Sequence, residues 1–339
     1  MIVSVVIPTR NRGDQMEHTV RSLWEQTLAP DRFEIVLVDN LSSDDTPERA
    51  RILERDSPVP LRFHRMREDR GPAMSRNQGA RMARAPLIAF IDSDVELARN
   101  WLEEGVRYLN ATPGVGLVTG KLLYAARPEL VNMFGGEMNW LGIGWDAHEG
   151  QLSAELQCEE QCLWSPTANV MLRKCVFDEL SGFDETFYFG FEDSDLGWRF
   201  SLAGWRCMSL PQLTALHHAT PTGRTGGDEI VFHSSKNRLR SLLKNHSSGN
   251  LWRYVPLYLL YSAAQVVAGP QRAIRSRALL WNLWNWKETA AARRQVQATR
   301  KVSDPQLAHL FSKRLVPAKT LAVRRREERE RVHGAHARP

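Results

Sequence analysis

Cysteine is scarce, with four residues in a chain of 339. That excludes a disulfide-built scaffold, and Met1 runs straight into the apolar IVSVVIP with no basic leader before it, so the expected compartment is the reducing cytoplasm. Long hydrophobic runs are lacking too. The stretch between Arg253 and Arg272 has no charged side chain, but it holds Pro256, Gln265, Gly269, Pro270 and three tyrosines, short of a convincing membrane span. No internal repeat is found, which excludes a solenoid. Carboxylates are sparse in the last third: residues 231–339 carry 22 basic and 5 acidic side chains, +17, against 23 basic and 34 acidic in residues 1–230, −11. Such asymmetry implies two jobs, with the basic part in need of an anionic partner. A hydrophobic share of 42% and a charged share of 25% are what a protein with a real core requires.

Short β-branched runs alternate with helical patterns over the first 120 residues: IVSVVIP, EIVLVD, LRFHR, LIAFID and VGLVTG. This alternation predicts a mainly parallel α/β sheet. Met16, Val20, Leu23, Trp24 and Leu28 recur at helical spacing between the first two runs, and Thr46-Pro47 reads as an N-cap followed by the first helical residue. Ligands of open α/β sheets sit beyond the carboxyl ends of the strands. The segments found there are polar: Pro8-Thr9-Arg10-Asn11-Arg12, Asp39-Asn40-Leu41-Ser42-Ser43-Asp44 and Asp92-Ser93-Asp94.

Asp92 and Asp94 are two apart, so strand alternation would throw both carboxylates to one side and Ser93 to the other. Two hard oxygen ligands suit Mg²⁺ or Mn²⁺ shared with a substrate's phosphate oxygens, although a plain strand-ending turn is the competing explanation. Glu192-Asp193-Ser194-Asp195 places three carboxylates in four residues at the start of a helix expected from Asp193 to Ala203. Capping accounts for one of them, and Arg199 at i+4 accounts for Asp195. TANVML and PQLTALHH read as further strands, and five tryptophans at 140, 145, 164, 198 and 205 read mainly as core. GVGLVTGKL lacks the spacing and hydroxyl of a phosphate loop, and Cys158 with Cys162 lacks the second pair a zinc site needs.

SVVIPTRNR, EIVLVDNLSSDDT, GPAMSRNQGA, IAFIDSDVEL and GFDETFYFGFEDSDLGWRFSLAGWR, in that order, resemble the inverting glycosyltransferases of family 2, including their rhamnosyltransferase-like branch. The resemblance spans residues 1–240 and implies a GT-A (nucleotide-diphospho-sugar transferase) fold, a divalent metal and a nucleotide-sugar donor. By this likeness Asp94 is the metal-binding carboxylate of the DxD motif, Asp92 contacts ribose or metal, and Asp39 reads the base edge. A carboxylate accepting N3–H fits uracil or thymine, hence UDP- or dTDP-sugars. Pro8, Thr9, Arg10 and Ser93 complete the implied donor contacts, with Arg76 facing the diphosphate. Asp193 corresponds to the general base, with Glu192 second, and His217, followed by Thr222, fits the metal-binding histidine better than His218.

The expected organisation is a catalytic unit over residues 1–230, with a nucleotide-sugar half at 1–120 and an acceptor half at 121–230. A helical, membrane-associating region at 231–323 and a basic, disordered tail at 324–339 follow. Trp252, Trp281, Trp284 and Trp286 are the residue type that settles at lipid headgroups, so an anionic membrane surface is favoured over core packing and nucleic acid for the basic third. The expected function is metal-dependent, Mn²⁺- or Mg²⁺-assisted inverting transfer of a sugar to a glycan or lipid-linked hydroxyl, peripheral on the inner face of the cell membrane. A nucleotidyltransferase on a similar fold and a non-catalytic nucleotide-sugar or glycan-binding scaffold are the alternatives.

Overall fold

The computed structural model describes residues 1–218 and 227–314. Thr222 and the tail at 324–339 lie outside the described residues. The chain begins with β1 (Val3–Thr9), α1 (Gly13–Trp24), β2 (Phe33–Asp39), α2 (Thr46–Asp56), β3 (Leu61–Arg65), α3 (Gly71–Met82) and β4 (Leu87–Ile91). Strands run in the order β3-β2-β1-β4, all parallel. β1 and β2 are buried along their whole length, which is why both read as β-branched runs, and their interior polar residues, Ser4 and Glu34, bond to each other at 2.7 Å. Thr46 is already helical and its hydroxyl accepts the Arg12 N–H at 3.0 Å, so the expected cap is spent on tethering the β1–α1 loop, and Asp45 takes the flanking position.

The sheet continues through β5 (Val95–Leu97), α4 (Trp101–Ala111), β6 (Val115–Tyr124), β7 (Arg127–Met133), the β8 (Gly136–Met138) and β9 (Gly144–Asp146) ribbon, β10 (Glu160–Cys162) and β11 (Asn169–Arg173). α5 (Lys174–Glu179), α6 (Glu192–Leu202) and β12 (Arg206–His217) follow. β11 inserts antiparallel between β4 and β6, and β12 pairs parallel with β6, so the central sheet is mixed. Val5, Ile7, Met16, Val20, Leu53 and Trp101 build the core on one side of the sheet, under α1, α2 and α4. Val6, Val38, Phe90, Ala73 and Phe177 build the other, under α3 and α5. α3 lies close to the sheet because its residues are small: a Cβ on Gly79 would meet Val6 Cγ1 at 2.2 Å.

Five helices complete the described chain: α7 (Asp228–Asn245), α8 (Ser248–Ala268), α9 (Arg272–Trp284), α10 (Trp286–Thr299) and the single turn α11 (Asp304–Leu307). Residue 230, where the composition changes, falls inside α7. This helix packs on α6 and buries Lys236, Arg240 and Lys244. Lys244 Nζ reaches Asp184 at 2.5 Å and Asp195 at 3.1 Å, Arg240 holds Asp184 at 2.9 Å, and Arg199 holds Asp195 at 2.8 Å. Burial pushes both carboxylates up, but the Lys244 charge, with Arg240 at Asp184 and Arg199 at Asp195, outweighs it and holds both below the usual range. Trp140 is stacked on Phe311 and Tyr254, and Trp198 is fully buried, as expected of core aromatics.

Removing the Lys244 charge should leave two buried carboxylates undercompensated. Lys244→Met is expected to lower unfolding stability by about 3–5 kcal/mol, read from a shifted urea midpoint at unchanged slope. A loss below about 1 kcal/mol would mean that the two arginines suffice without it.

Candidate active site

The carboxyl ends of β1, β2 and β4 are neighbours, since Thr9 is in register with Asp39 and Val6 with Phe90. The loops beyond them are stitched together. Asn11 N–H donates to Ser42 Oγ at 2.8 Å, and Ser43 N–H returns to Asn11 Oδ1 at 2.7 Å. Asp39 is fully buried and accepts the Ser42 N–H at 3.1 Å and the Ser42 hydroxyl, with Arg65 at 3.3 Å. Asp39 thus stabilises the turn after β2. Thr9 is buried and its hydroxyl has no partner. Pro8 precedes it within β1.

Asp92, Ser93 and Asp94 occupy the tight turn between β4 and β5, where Val95 N–H bonds Asp92 C=O at 3.2 Å. The expected strand alternation stops at Ile91, and the two carboxylates take different partners. Asp92 Oδ1 accepts from Arg76 Nη2 at 2.7 Å, while Asp94 is held by Arg12 and faces His217 Nε2 at 3.6 Å. Pairing of β5 with β12, His217 opposite Val95, brings the histidine there, and Asn132 Oδ1 sits 2.8 Å from its Nδ1. His218 turns instead to Glu96. Burial works against a charge on Asp94, but His217 and Arg12 together outweigh it, leaving this carboxyl below the usual range.

α6 opens directly on the site. Gly190 and Phe191 both have left-handed backbone, at φ 75° each, and Phe191 precedes the helix without a side-chain cap. Glu192 Oε1 accepts from Arg76 Nη1 at 3.3 Å, whereas Glu192 Oε2 and Arg76 Nε are buried with no partner. Asp193 accepts from the Thr167 hydroxyl at 2.8 Å and the Thr167 N–H at 3.3 Å. Burial raises Glu192 strongly, and the Asp193 charge adds to it against the pull of Arg76. Asp193 is raised mainly by burial, with Arg76 and Thr167 opposing. Arg76 is thus enclosed by carboxylates, in a place where sequence reasoning put a diphosphate contact.

Three features escaped the sequence reading. Arg12 pairs with Asp94, although PTRNR offered it as readily as Arg10. Thr167 orients Asp193 from the turn before β11. Arg10, expected at the nucleotide, pairs with Asp69 and lies 3.1 Å from the Tyr188 hydroxyl, which donates to Asp69 at 2.6 Å. That cluster ties the β1 loop to the segment before α6, and Gly71 (φ 77°) permits it, since a Cβ there would lie 2.3 Å from Tyr188 O. The closest signal was the FYFGFED run itself.

Among the described residues no group of three or more His, Cys, Asp or Glu is gathered for a metal. Asp94 with His217 offers one hard oxygen and one imidazole nitrogen, which fits a divalent cation completed by a diphosphate and water. Arg12 supplies the positive charge at Asp94 in this arrangement.

The β4–β5 turn and the start of α6 thus meet through Arg76 beyond the carboxyl ends of the strands. Residues 4–126 match the family model "Glycosyl transferase family 2". The O-antigen biosynthesis protein RfbC of Myxococcus xanthus is 30% identical over 362 residues, covering 95% of this chain and 27% of that protein. Validoxylamine A glucosyltransferase of Streptomyces hygroscopicus subsp. limoneus is 34% identical over 223 residues, 60% of this chain and 48% of that one. The chain therefore spans less than half the length of either relative. The crystal structure of GalNAc-T7 with UDP, GalNAc and Mn²⁺ superposes with a TM-score of 0.63 at 17% identity, covering 82% of this chain and 54% of that one, a likeness of fold.

The raised Glu192 has a consequence for stability. Its folded-state pKa lies above the ordinary 4.5, so the fold retains a proton that the unfolded chain releases, and stability should fall as pH rises from about 4.5 into the neutral range. Glu192→Gln should flatten that slope. Thermal melts between about pH 5 and 8 should find the variant at least as stable as the parent at the alkaline end. Equal slopes would mean that Glu192 is already ionised.

Proposed function

We propose that the chain is a metal-dependent inverting glycosyltransferase that moves a sugar from a nucleotide diphosphate to a hydroxyl of a glycan or lipid-linked acceptor. The observation that carries this reading is the Arg76 bridge, 2.7 Å to Asp92 and 3.3 Å to Glu192. It joins the DxD turn and the ED pair, 100 residues apart in sequence, into one site. Asp193, oriented by Thr167, takes the proton of the acceptor hydroxyl as that oxygen bonds to the anomeric carbon. The bond from that carbon to the diphosphate oxygen breaks on the opposite face, its electron pair leaves with the nucleoside diphosphate, and the configuration inverts.

Thr9, with its free buried hydroxyl, Pro8, Ser93 and Asp39 line the donor, and Asp39 in the base-reading role favours UDP or dTDP. Arg10 and Arg12, more exposed than Arg76, are the better diphosphate contacts, and Arg76 pairs with Asp92 and Glu192 from behind. Asp94 and His217, with Asp92 nearby, would hold Mn²⁺ or Mg²⁺. That ion, when bound, neutralises the charge developing on the diphosphate. The rhamnosyl branch rests on the motifs alone. The reading extends to a place of work at the inner face of the cell membrane, where a lipid-linked acceptor is held.

Asp193→Asn should leave donor affinity nearly intact and lower turnover by roughly 10²–10⁴-fold. Near-normal transfer by this variant would show that Asp193 merely anchors Thr167. Asp94→Ala should abolish metal-dependent binding of UDP- or dTDP-sugar in calorimetry. Equal nucleotide affinity of the parent with chelator and with Mn²⁺ would remove the metal from the mechanism.

A further inference from the structure

Ten of the fourteen large apolar side chains that stand exposed among the described residues fall between Trp252 and Trp286. Trp252 is 78% exposed, Leu260 68%, Val267 71% and Trp284 74%. α8 buries Val255 and Tyr258 toward α7, where the Tyr258 hydroxyl reaches Ser235 O at 3.3 Å, yet its outer positions 252, 256, 260, 263 and 267 are also uncharged and mostly apolar at helical spacing. A helix apolar all round belongs in a core or in lipid, and among the described residues none covers one side of α8. α9 packs on α8 and α7 and adds Leu283 and Trp284 to the same outer layer.

We infer that the outer layer of α8 and α9 is an in-plane docking surface for an anionic lipid leaflet. Charge selects this occupant. α8 and α9 carry Arg253, Arg272, Arg275 and Arg277 and no carboxylate, and no Asp or Glu occurs between Glu229 and Glu288. A second copy of the chain docked through the same layer would oppose arginines with arginines, whereas a leaflet of acidic headgroups pairs with them and accepts Trp and Leu below. No helix of the described residues is long and apolar enough to cross a membrane, so the element lies on the leaflet. Trp281, expected at the headgroups, faces inward beneath Lys236, whose Nζ is 4.6 Å from its ring centroid.

The surface deepens the proposed function and rests on it only for what the leaflet holds. α7, on which α8 and α9 pack, donates from Asn237 to Phe189 O and Gly190 O and from Lys236 to Thr186 O, so the segment leading to Asp193 is supported by the helix that carries the lipid-facing layer. A lipid-linked acceptor in that leaflet is the substrate class this arrangement serves.

The test is flotation of the full chain with vesicles of neutral lipid and of neutral lipid containing an acidic phospholipid. The full chain should float with acidic vesicles and at least roughly fivefold less with neutral ones, and release as ionic strength rises well above about 0.1 M. Leu260→Gln with Trp284→Gln should lose flotation, and Arg253→Gln with Arg275→Gln should lose only the preference for acidic lipid. No flotation at low salt overturns the proposal, as does a concentration-dependent dimer that the Leu260→Gln, Trp284→Gln pair dissolves. Calorimetry with UDP-sugar and Mn²⁺ runs in parallel. Flotation without donor binding removes the transferase reading and leaves the surface, and donor binding without flotation does the reverse.

Discussion

A guanidinium buried between two carboxylates is what allows this crevice to exist as built. Glu192 and Asp193 begin a helix with almost no water around Glu192, and Asp92 closes in from the opposite side. Three acidic groups in that space repel one another and lose hydration together. Arg76 answers two of them directly. It can do so only because α3 is built of small residues and seats on β1 at Gly79, which brings the long side chain under the turn after β4. The compensation is incomplete, since Glu192 Oε2 and Arg76 Nε keep no partner and Glu192 remains raised. Incomplete pairing is the expected state of a site made to hold something else.

The third carboxylate of the ED run has the opposite fate. Asp195 lies two residues beyond Asp193, on the far side of the helix, and there Arg199, Lys244, Ser241 and Asn245 satisfy it completely enough to hold it charged. Within one turn of helix, two carboxylates held above the usual range are thus separated from one held below it. The physical difference is the supply of cations: a single arginine serves the crevice side, while the α7 side has three with Arg240 included.

Much of this was legible in the sequence, for reasons that vary by element. β1 and β2 declared themselves because strands buried on both faces are mostly apolar, Ser4 and Glu34 being admitted as a hydrogen-bonded pair, and the polar segments at their ends marked the crevice. The ED pair and the DxD turn were legible as motifs. The geometry of Asp92 and Asp94 was misjudged because alternation holds only while the ladder lasts, and the ladder ends at Ile91 opposite Asn169. Arg12 and Thr167 were missed since their partners are set by loop stitching and by the pairing of β11 with β4, neither of which has a local signature. Thr46 looked like a cap and serves Arg12 instead.

The charge asymmetry was the least direct signal. Lys236, Arg240 and Lys244 counted toward the basic third, but all three are buried in α7, where Lys244 and Arg240 neutralise Asp184 and Asp195 of the acidic part and Lys236 binds a backbone carbonyl. A cut at residue 230 therefore separates ions that belong together, and part of the −11 and the +17 cancels within one core. Among the described residues, a further part is carried outward by the arginines of α8 and α9. Burial has sorted the described cations of this basic stretch: Lys236, Arg240 and Lys244 hold the segment before Asp193 in place, Arg293 and Arg300 bind carbonyls at the end of α7, and the arginines of α8 and α9 are left beside Trp252, Leu260 and Trp284, where no carboxylate of α8 or α9 meets them.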